Sequence, residues 1–266
     1  MNVSLAVPRS LSPSKVSSFT SCPLAFRFTI IDRLPEPPSP HLVKGTLVHA
    51  ALDRLMWHHP PGLRSPETAK AELLAAWDAM RDDAEVQGLG LSPEEAAAFL
   101  ADAEVLVRNY FSLEDPDGIR AAGVELGLEV VLGGTRLRGI IDRLDVTPDG
   151  RLVVIDYKTG RAPPPRFEQG RLSGVHIYAL LCERVLGRTP DEVRLLYLRD
   201  PVTITATPSE QSVRGQQRRT MAVWTAIERA CATEDFRPKP SSLCKSCNFQ
   251  SSCPAFGGTP PQTLAS

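Results

Sequence analysis

The chain reads as an α/β protein built on a mixed sheet that carries helices on its faces, and three observations predict this. Val153-Val154-Ile155 is an unbroken apolar run that stops at Asp156-Tyr157-Lys158-Thr159-Gly160, as a strand buried on both faces would. Gly139 to Val146 is a second strand candidate, joined to the first across the turn sequence Thr147-Pro148-Asp149-Gly150. Helical periodicity lies on both sides of this pair in the chain, so helices and strands share a core.

The elements follow in order. Ser12-Pro13 marks a helix start, with proline at the first helical position, and the helix leads toward Cys22. Residues 43–58 place Val43, Leu47, Val48, Ala51 and Leu55 at helical spacing, with His49 on the same helix. A helix near 66–87 follows, and Ser92-Pro93-Glu94-Glu95 has the form of a capping box opening another, to about Phe111. Strands are expected near 123–132, 135–147 and 151–158, then a helix over 169–187 and strands over 191–199 and 202–207. Gln211 to Thr233 returns to helix, and the stretch from Pro238 onward is irregular and rich in cysteine. There are no internal repeats.

Composition narrows the class. With 266 residues, 42% hydrophobic and 23% charged, the chain has the make-up of an ordinary soluble domain. No apolar run approaches the ~20 residues needed to cross a bilayer. The start, Met1 to Arg9, lacks the basic head and apolar centre of a signal peptide, so a cytoplasmic protein with no membrane partner is expected. The net charge of −1 gives no global cationic field, so a nucleic-acid substrate would need local patches. Arg214, Arg218 and Arg219 form one candidate and Arg161, Arg166 and Arg171 another, although such clusters are more often solvated faces. The prolines at 35–40 and 163–165 read as rigid spacers. No G-x-x-x-x-G-K-[ST] loop is present, so any unwinding of a duplex needs a separate protein.

The strand pair carries the first chemistry. Side chains alternate along a strand, so Asp156 and Lys158 point to the same side, roughly 6.5–7 Å apart along it. Burying both charges without a task is costly. Folding about Pro148-Asp149 sets Asp142 opposite Ile155 or, with a one-residue bulge at Gly150, opposite Asp156. Two carboxylates so placed can share a hard cation such as Mg²⁺ or Mn²⁺. The bland alternative is a charged hairpin end, with Asp142 paired to Arg143 or Lys158.

The six cysteines divide in two. Cys182 and Cys231 lie in helical stretches and read as small core residues. Cys244-Lys245-Ser246-Cys247 is followed by Cys253, and Cys22 stands far upstream. Clustered thiols in a reducing compartment point to metal or redox chemistry. Four thiolates suit tetrahedral zinc or an iron–sulfur cluster, and spacing leaves both open, together with a zinc knuckle using the last three cysteines and another ligand. Ligation by all four would staple the N-terminal helix to the C-terminal tail and couple metal binding to folding.

Taken together, these residues resemble the RecB-like branch of the PD-(D/E)XK nuclease superfamily, with its RecB and AddB nuclease domains, stand-alone RecB-family exonucleases and four-cysteine CRISPR-adaptation nucleases. The resemblance runs from Ser12 to Cys253. Ser12 to Pro23 resembles the lead-in to the family's first cluster cysteine, and Gly45-x-x-x-His49 its G-x-x-x-H helix with a metal-binding histidine. Glu125 resembles the acidic position of the first core strand, Gly139-Ile140-Ile141-Asp142-Arg143 the G-x-I-D-R strand, and Asp156-Tyr157-Lys158 the D-x-K core. Cys22, Cys244, Cys247 and Cys253 match the cysteines that hold a [4Fe–4S] cluster in relatives, with zinc the other occupant. One motif departs: in the family's Q-x-x-x-Y, Tyr178 is present but Gly174 stands at the glutamine position, leaving His176 or Gln169 to substitute.

The resemblance implies a restriction-endonuclease-like core, a mixed central sheet flanked by helices, with an N-terminal helical insertion and an iron–sulfur clasp. As a single domain over 1–258, it would hold helices over about 12–115, the core over about 120–235 and the clasp over 238–256, with a flexible tail at 259–266. It further implies a metal-dependent DNA exonuclease, a phosphodiester hydrolase of repair or recombination. Asp142, Asp156, Lys158 and Glu125 would be catalytic, and His49, Asp142, Asp156 and the Tyr157 carbonyl would hold Mg²⁺ or Mn²⁺. Tyr178, His176 and Arg143 would contact substrate. The implied partners are single-stranded DNA or duplex ends, with a separate helicase or CRISPR adaptation proteins. The alternative is a non-catalytic DNA-binding or scaffold subunit of such a complex.

Overall fold

In a computed structural model, residues 5–164 and 168–261 are described, apart from the side chains of 168–173. Arg166, Arg171 and Gln169, and the last part of the expected tail, 262–266, lie outside these. Among the described residues, five strands run in the sheet order β1-β2-β3-β4-β5: β1 (Ala121–Leu132), β2 (Thr135–Val146), β3 (Leu152–Lys158), β4 (Glu192–Tyr197) and β5 (Val202–Ala206). β2–β3 and β4–β5 are antiparallel and β3–β4 is parallel, so the sheet is mixed as expected.

The helices are α1 (Pro13–Ser21), α2 (Pro23–Phe26), α3 (Pro40–His58), α4 (Pro66–Met80), α5 (Ala84–Gln87), α6 (Pro93–Tyr110), α7 (Glu168–Leu186) and α8 (Glu210–Thr233). Their starts follow capping chemistry. Ser12 and Ser65 accept backbone N–H groups ahead of N-terminal prolines, and Ser92 with Glu95 closes a full capping box on α6. The expected helix over 66–87 is two helices, because the chain leaves helical geometry at Asp83, which becomes the extended residue before α5. Cys22-Pro23 starts a further short helix that passes into a π-helical turn, Arg27–Ile31, which the periodicity did not mark. None of the described helices is long and apolar enough to cross a membrane.

The chain divides into two compact units, each assembled from discontinuous segments: Met1–Pro37, Glu129–Gly139 and Arg214–Ser266 form one, and Pro38–Leu128 and Ile140–Val213 the other. In the first, Leu11 bridges Leu137 of β2, and Cys231 lies buried. In the second, α3, α4 and α6 pack on β3 and β4. Their core joins Leu47, Leu52, Leu55, Leu73, Tyr110, Ile155 and Leu196, and Cys182 is buried in this unit as expected. Burying such side chains contributes roughly 1.5–3 kcal/mol each, so α3 and β3 are held firmly against one another. Arg214, Arg218 and Arg219 of the expected patch are all exposed on α8.

Candidate active site

The site lies in the second unit, where β2 and β3 part. The register pairs Arg143 with Ile155 and Val146 with Leu152; continued, it sets Asp142 across from Asp156. Of the two registers the turn allowed, this is the bulged one. Gly150, at φ 81°, takes the left-handed residue of a short loop closed by Gly150 N–H donating to Thr147 O at 2.8 Å. Beyond Arg143 the pairing yields to a side chain: Tyr157 N–H donates to Asp142 Oδ2 at 2.6 Å. The Asp142 carboxylate therefore takes a backbone donor at the mouth of the hairpin and is held in place.

Helix α3 brings His49 to the same point. Its Nδ1 lies 3.5 Å from Asp142 Oδ2 and its Nε2 3.1 Å from Tyr157 O. Gly45, one turn earlier, lies against Thr159, where a Cβ would stand 3.4 Å from its Oγ1, in ordinary contact. Glu125 completes the group: His49, Glu125 and Asp142 each offer a ligand atom within 4.8 Å of the others. Glu125 reaches it through φ 47°, a left-handed backbone inside β1 of the kind that re-aims a strand side chain. Oxygen donors with one imidazole suit a hard divalent cation, so the residues present fit Mg²⁺ or Mn²⁺.

Asp156 is nearly buried and forms an ion pair with Lys158, whose side chain stays 41% exposed. Burial pushes the Asp156 carboxyl up to about 6, against the pull of Lys158. For His49, burial works downward, but the hydrogen bond and charge of Asp142, with the charge of Asp156, leave it raised. Protons on both groups compete with a cation, which needs neutral imidazole and ionised carboxylate. Metal affinity is therefore expected to rise as pH is raised through about 6, where Asp156 ionises, and further as His49 loses its proton, measured by Mn²⁺ titration at several pH values; affinity flat with pH would contradict this arrangement. Tyr178, on α7, is raised by burial and by the charges of Asp156, Asp142 and Glu125, so its hydroxyl remains a donor at neutral pH.

The sequence expectations divide here. His49, Glu125, Asp142, Asp156, Lys158, the Tyr157 carbonyl and Tyr178 come together. Arg143 does not: its side chain is 0% exposed and cannot meet a substrate. All five of its N–H donors are used inside the protein, on Asp145, Glu114, Tyr110 and Tyr157. His176 is half-buried on α7, and Gly174 is exposed. Asp53 was missed. It lies one turn after His49 and feels the charges of both Asp142 and His49; its buried Oδ1 has no hydrogen-bond partner among the described residues. The signal was the i, i+4 spacing from His49.

The four cysteines sit in the first unit, all unpaired, around a cavity of about 300 Å³. Lys239 N–H points to Cys22 Sγ at 3.5 Å and Ser241 N–H to Cys244 Sγ at 3.3 Å, donors that would stabilise thiolates. Among the described residues, no three of these sulfurs come within 4.8 Å of one another. A single tetrahedral zinc with bonds of about 2.3 Å would draw them to about 3.8 Å.

Comparison with known proteins agrees with the geometry. A family model described as the PD-(D/E)XK nuclease superfamily matches residues 10–254. The Gene 69 protein of Mycobacterium phage D29 is 27% identical over 272 residues, covering 92% of this chain and 96% of that protein. The Gene 69 protein of Mycobacterium phage L5 is 29% identical over 136 residues, covering 50% of this chain and 44% of that protein. In fold, the chain is similar to a "Putative exonuclease" from Eubacterium rectale, with a TM-score of 0.56 at 10% identity, over 91% of this chain and 88% of that one.

Proposed function

The chain belongs to the PD-(D/E)XK nuclease superfamily, and on that footing we propose that it is a Mg²⁺- or Mn²⁺-dependent deoxyribonuclease that degrades DNA from its ends, in repair or recombination in the cytoplasm. The observation that carries this reading is the meeting of His49, Glu125 and Asp142 beside the Asp156–Lys158 pair. His49, Asp142 and Asp156, with Glu125 and the Tyr157 carbonyl, would hold the cation. Bound there, it would polarise the scissile phosphate and lower the pKa of a water.

The chain's own residues do the rest. The Tyr157 N–H fixes Asp142, so the ligand set is in place before substrate arrives. Lys158 reaches out of the site as a compact positive charge and stabilises the negative charge that develops on the phosphate. Tyr178 offers a neutral hydroxyl as a donor toward the same phosphate. Gly174, in place of a glutamine, is the one observation that favours a non-cutting DNA-binding subunit.

The test is cleavage of DNA labelled at its 5′ or 3′ end, single-stranded or duplex, by anaerobically purified protein with Mg²⁺, Mn²⁺ or EDTA. Metal-dependent release of short labelled products from one end is expected. A folded protein that cuts neither substrate would shift the reading to the DNA-binding subunit.

A [4Fe–4S] cluster on Cys22, Cys244, Cys247 and Cys253 belongs to the same proposal. The shared cavity that the four cysteines line and the N–H donors to Cys22 and Cys244 support a site of metal-binding thiolates there. Iron and sulfide are expected in the purified protein, and Cys22→Ala should bleach its brown colour and lower its melting temperature. Zinc without sulfide, or a Cys22→Ala protein that stays brown, would contradict the assignment.

A further inference from the structure

We propose that the cleft at the carboxyl ends of β3 and β4 binds a second, non-scissile phosphate of the nucleic-acid strand, held by Lys44, Arg199 and His41. The proposal rests on the nuclease reading and deepens it. β3 and β4 are the parallel pair of the sheet, and ligands of α/β proteins bind in the crevice outside the carboxyl ends of such strands. Lys158 pairs with Tyr197, and Leu198 N–H donates to Lys158 O at 2.9 Å, so Arg199 emerges level with Thr159 and Gly160. His41 and Lys44 come from the start of α3, the helix that carries His49. Together these residues line a cavity of about 380 Å³, with Asp102, Val105 and Leu106 on its far side.

Charge and access fit a phosphate. Arg199 and His41 are exposed, with no ion pair or hydrogen bond among the described residues. Lys44 Nζ is held at 3.0 Å from Asp102 Oδ2 and 5.1 Å from the Phe99 ring centre, which fixes it at the cleft, and Asp102 itself is 74% exposed. Two permanent cations thus face one carboxylate, with the exposed His41 ring as a further polar group. Gly160 leaves its backbone open, since a Cβ there would meet nothing within 4 Å. Two residues of extended chain span at most about 7 Å, and one strand of DNA advances about 3.4 Å of axis per nucleotide. The cleft therefore stands one or two nucleotides from the phosphate at Lys158, where it would set the register of the strand.

The experiment measures binding without cutting. Full-length Asp156→Ala protein in EDTA is titrated with fluorescent single-stranded oligonucleotides of one sequence, carrying a 5′-phosphate, a 3′-phosphate or neither, over a range of salt. Adding Arg199→Ala or Lys44→Ala should weaken binding roughly fivefold or more and lower the log–log salt slope by about one per cation removed. Arg199→Lys should restore most of the loss, and Arg151→Ala, beside the amino end of β3 and so at the opposite end of the strand from Lys158, should change neither quantity. A loss confined to one phosphorylated end would assign the cleft to a terminal phosphate, and an equal loss on all three to an internal one. Unchanged affinity and slope in Arg199→Ala and Lys44→Ala, equal loss in Arg151→Ala, or no DNA binding by the parent protein would overturn the inference. The nuclease reading fails separately, if wild-type protein binds DNA but does not cut it with metal.

Discussion

Lys158→Ala is expected to lower the single-turnover rate of DNA cleavage by about 10²- to 10³-fold, the usual loss when one preorganised charge facing the reacting group is removed. The ammonium sits at the carboxyl end of β3, exposed enough to meet substrate and tethered by Asp156. Asp156→Ala should cost at least as much, because it removes the carboxylate that pairs with the lysine and that we propose as a cation ligand. Lys158→Arg should not restore the rate, since a planar guanidinium cannot take the position of a compact ammonium. DNA affinity in EDTA should fall by no more than the loss of one phosphate contact, so the defect lies in the chemical step. Wild-type cleavage by either alanine variant would remove this strand from the mechanism.

The second large effect is on stability. Arg143→Met should destabilise the protein by about 3–5 kcal/mol, the cost of removing one partner from a buried ion pair. Its Nε donates to both Asp145 oxygens at 2.9 and 3.1 Å, Nη2 to Glu114 at 2.7 Å and Nη1 to the Tyr157 hydroxyl at 2.7 Å. Without the guanidinium, Asp145, Glu114 and the hydroxyls of Tyr110 and Tyr157 lose the donors that hold them together. Arg143→Lys should recover only part of the loss, because an ammonium has three donors where five are used. The effect also reaches the site. The Tyr157 ring anchors the residue whose backbone N–H holds Asp142 and whose carbonyl faces His49. Denaturant unfolding reads the prediction, and a change under 1 kcal/mol would mean that the buried network contributes little.

Much of this arrangement was legible in the sequence. The apolar run into Asp156 gave β3, and His49, Asp142 and Lys158 converge because each is tied to an element whose periodicity is strong. What stayed hidden depends on distant partners. Arg143 reads as a surface cation until Tyr110, Glu114 and Asp145 close around it, and they come from a helix, the turn after it and the same strand. Glu125 takes a left-handed backbone with no glycine to announce it, so β1 looked regular. The hairpin register was open by one residue, and a side-chain bond from Tyr157 N–H to Asp142 closes it. The two interleaved units leave no shift in composition, because each is built of segments far apart in the chain.

The central claim is that His49, Glu125, Asp142 and Asp156 form a divalent-cation site beside Lys158. Its most direct test is Mn²⁺ binding to the full-length protein, followed by electron paramagnetic resonance, beside an Asp142→Asn variant shown by its melting curve to be folded. Saturable binding by the wild type, lost in the variant, is the predicted result. Equal binding by both, or none by the wild type, would contradict it.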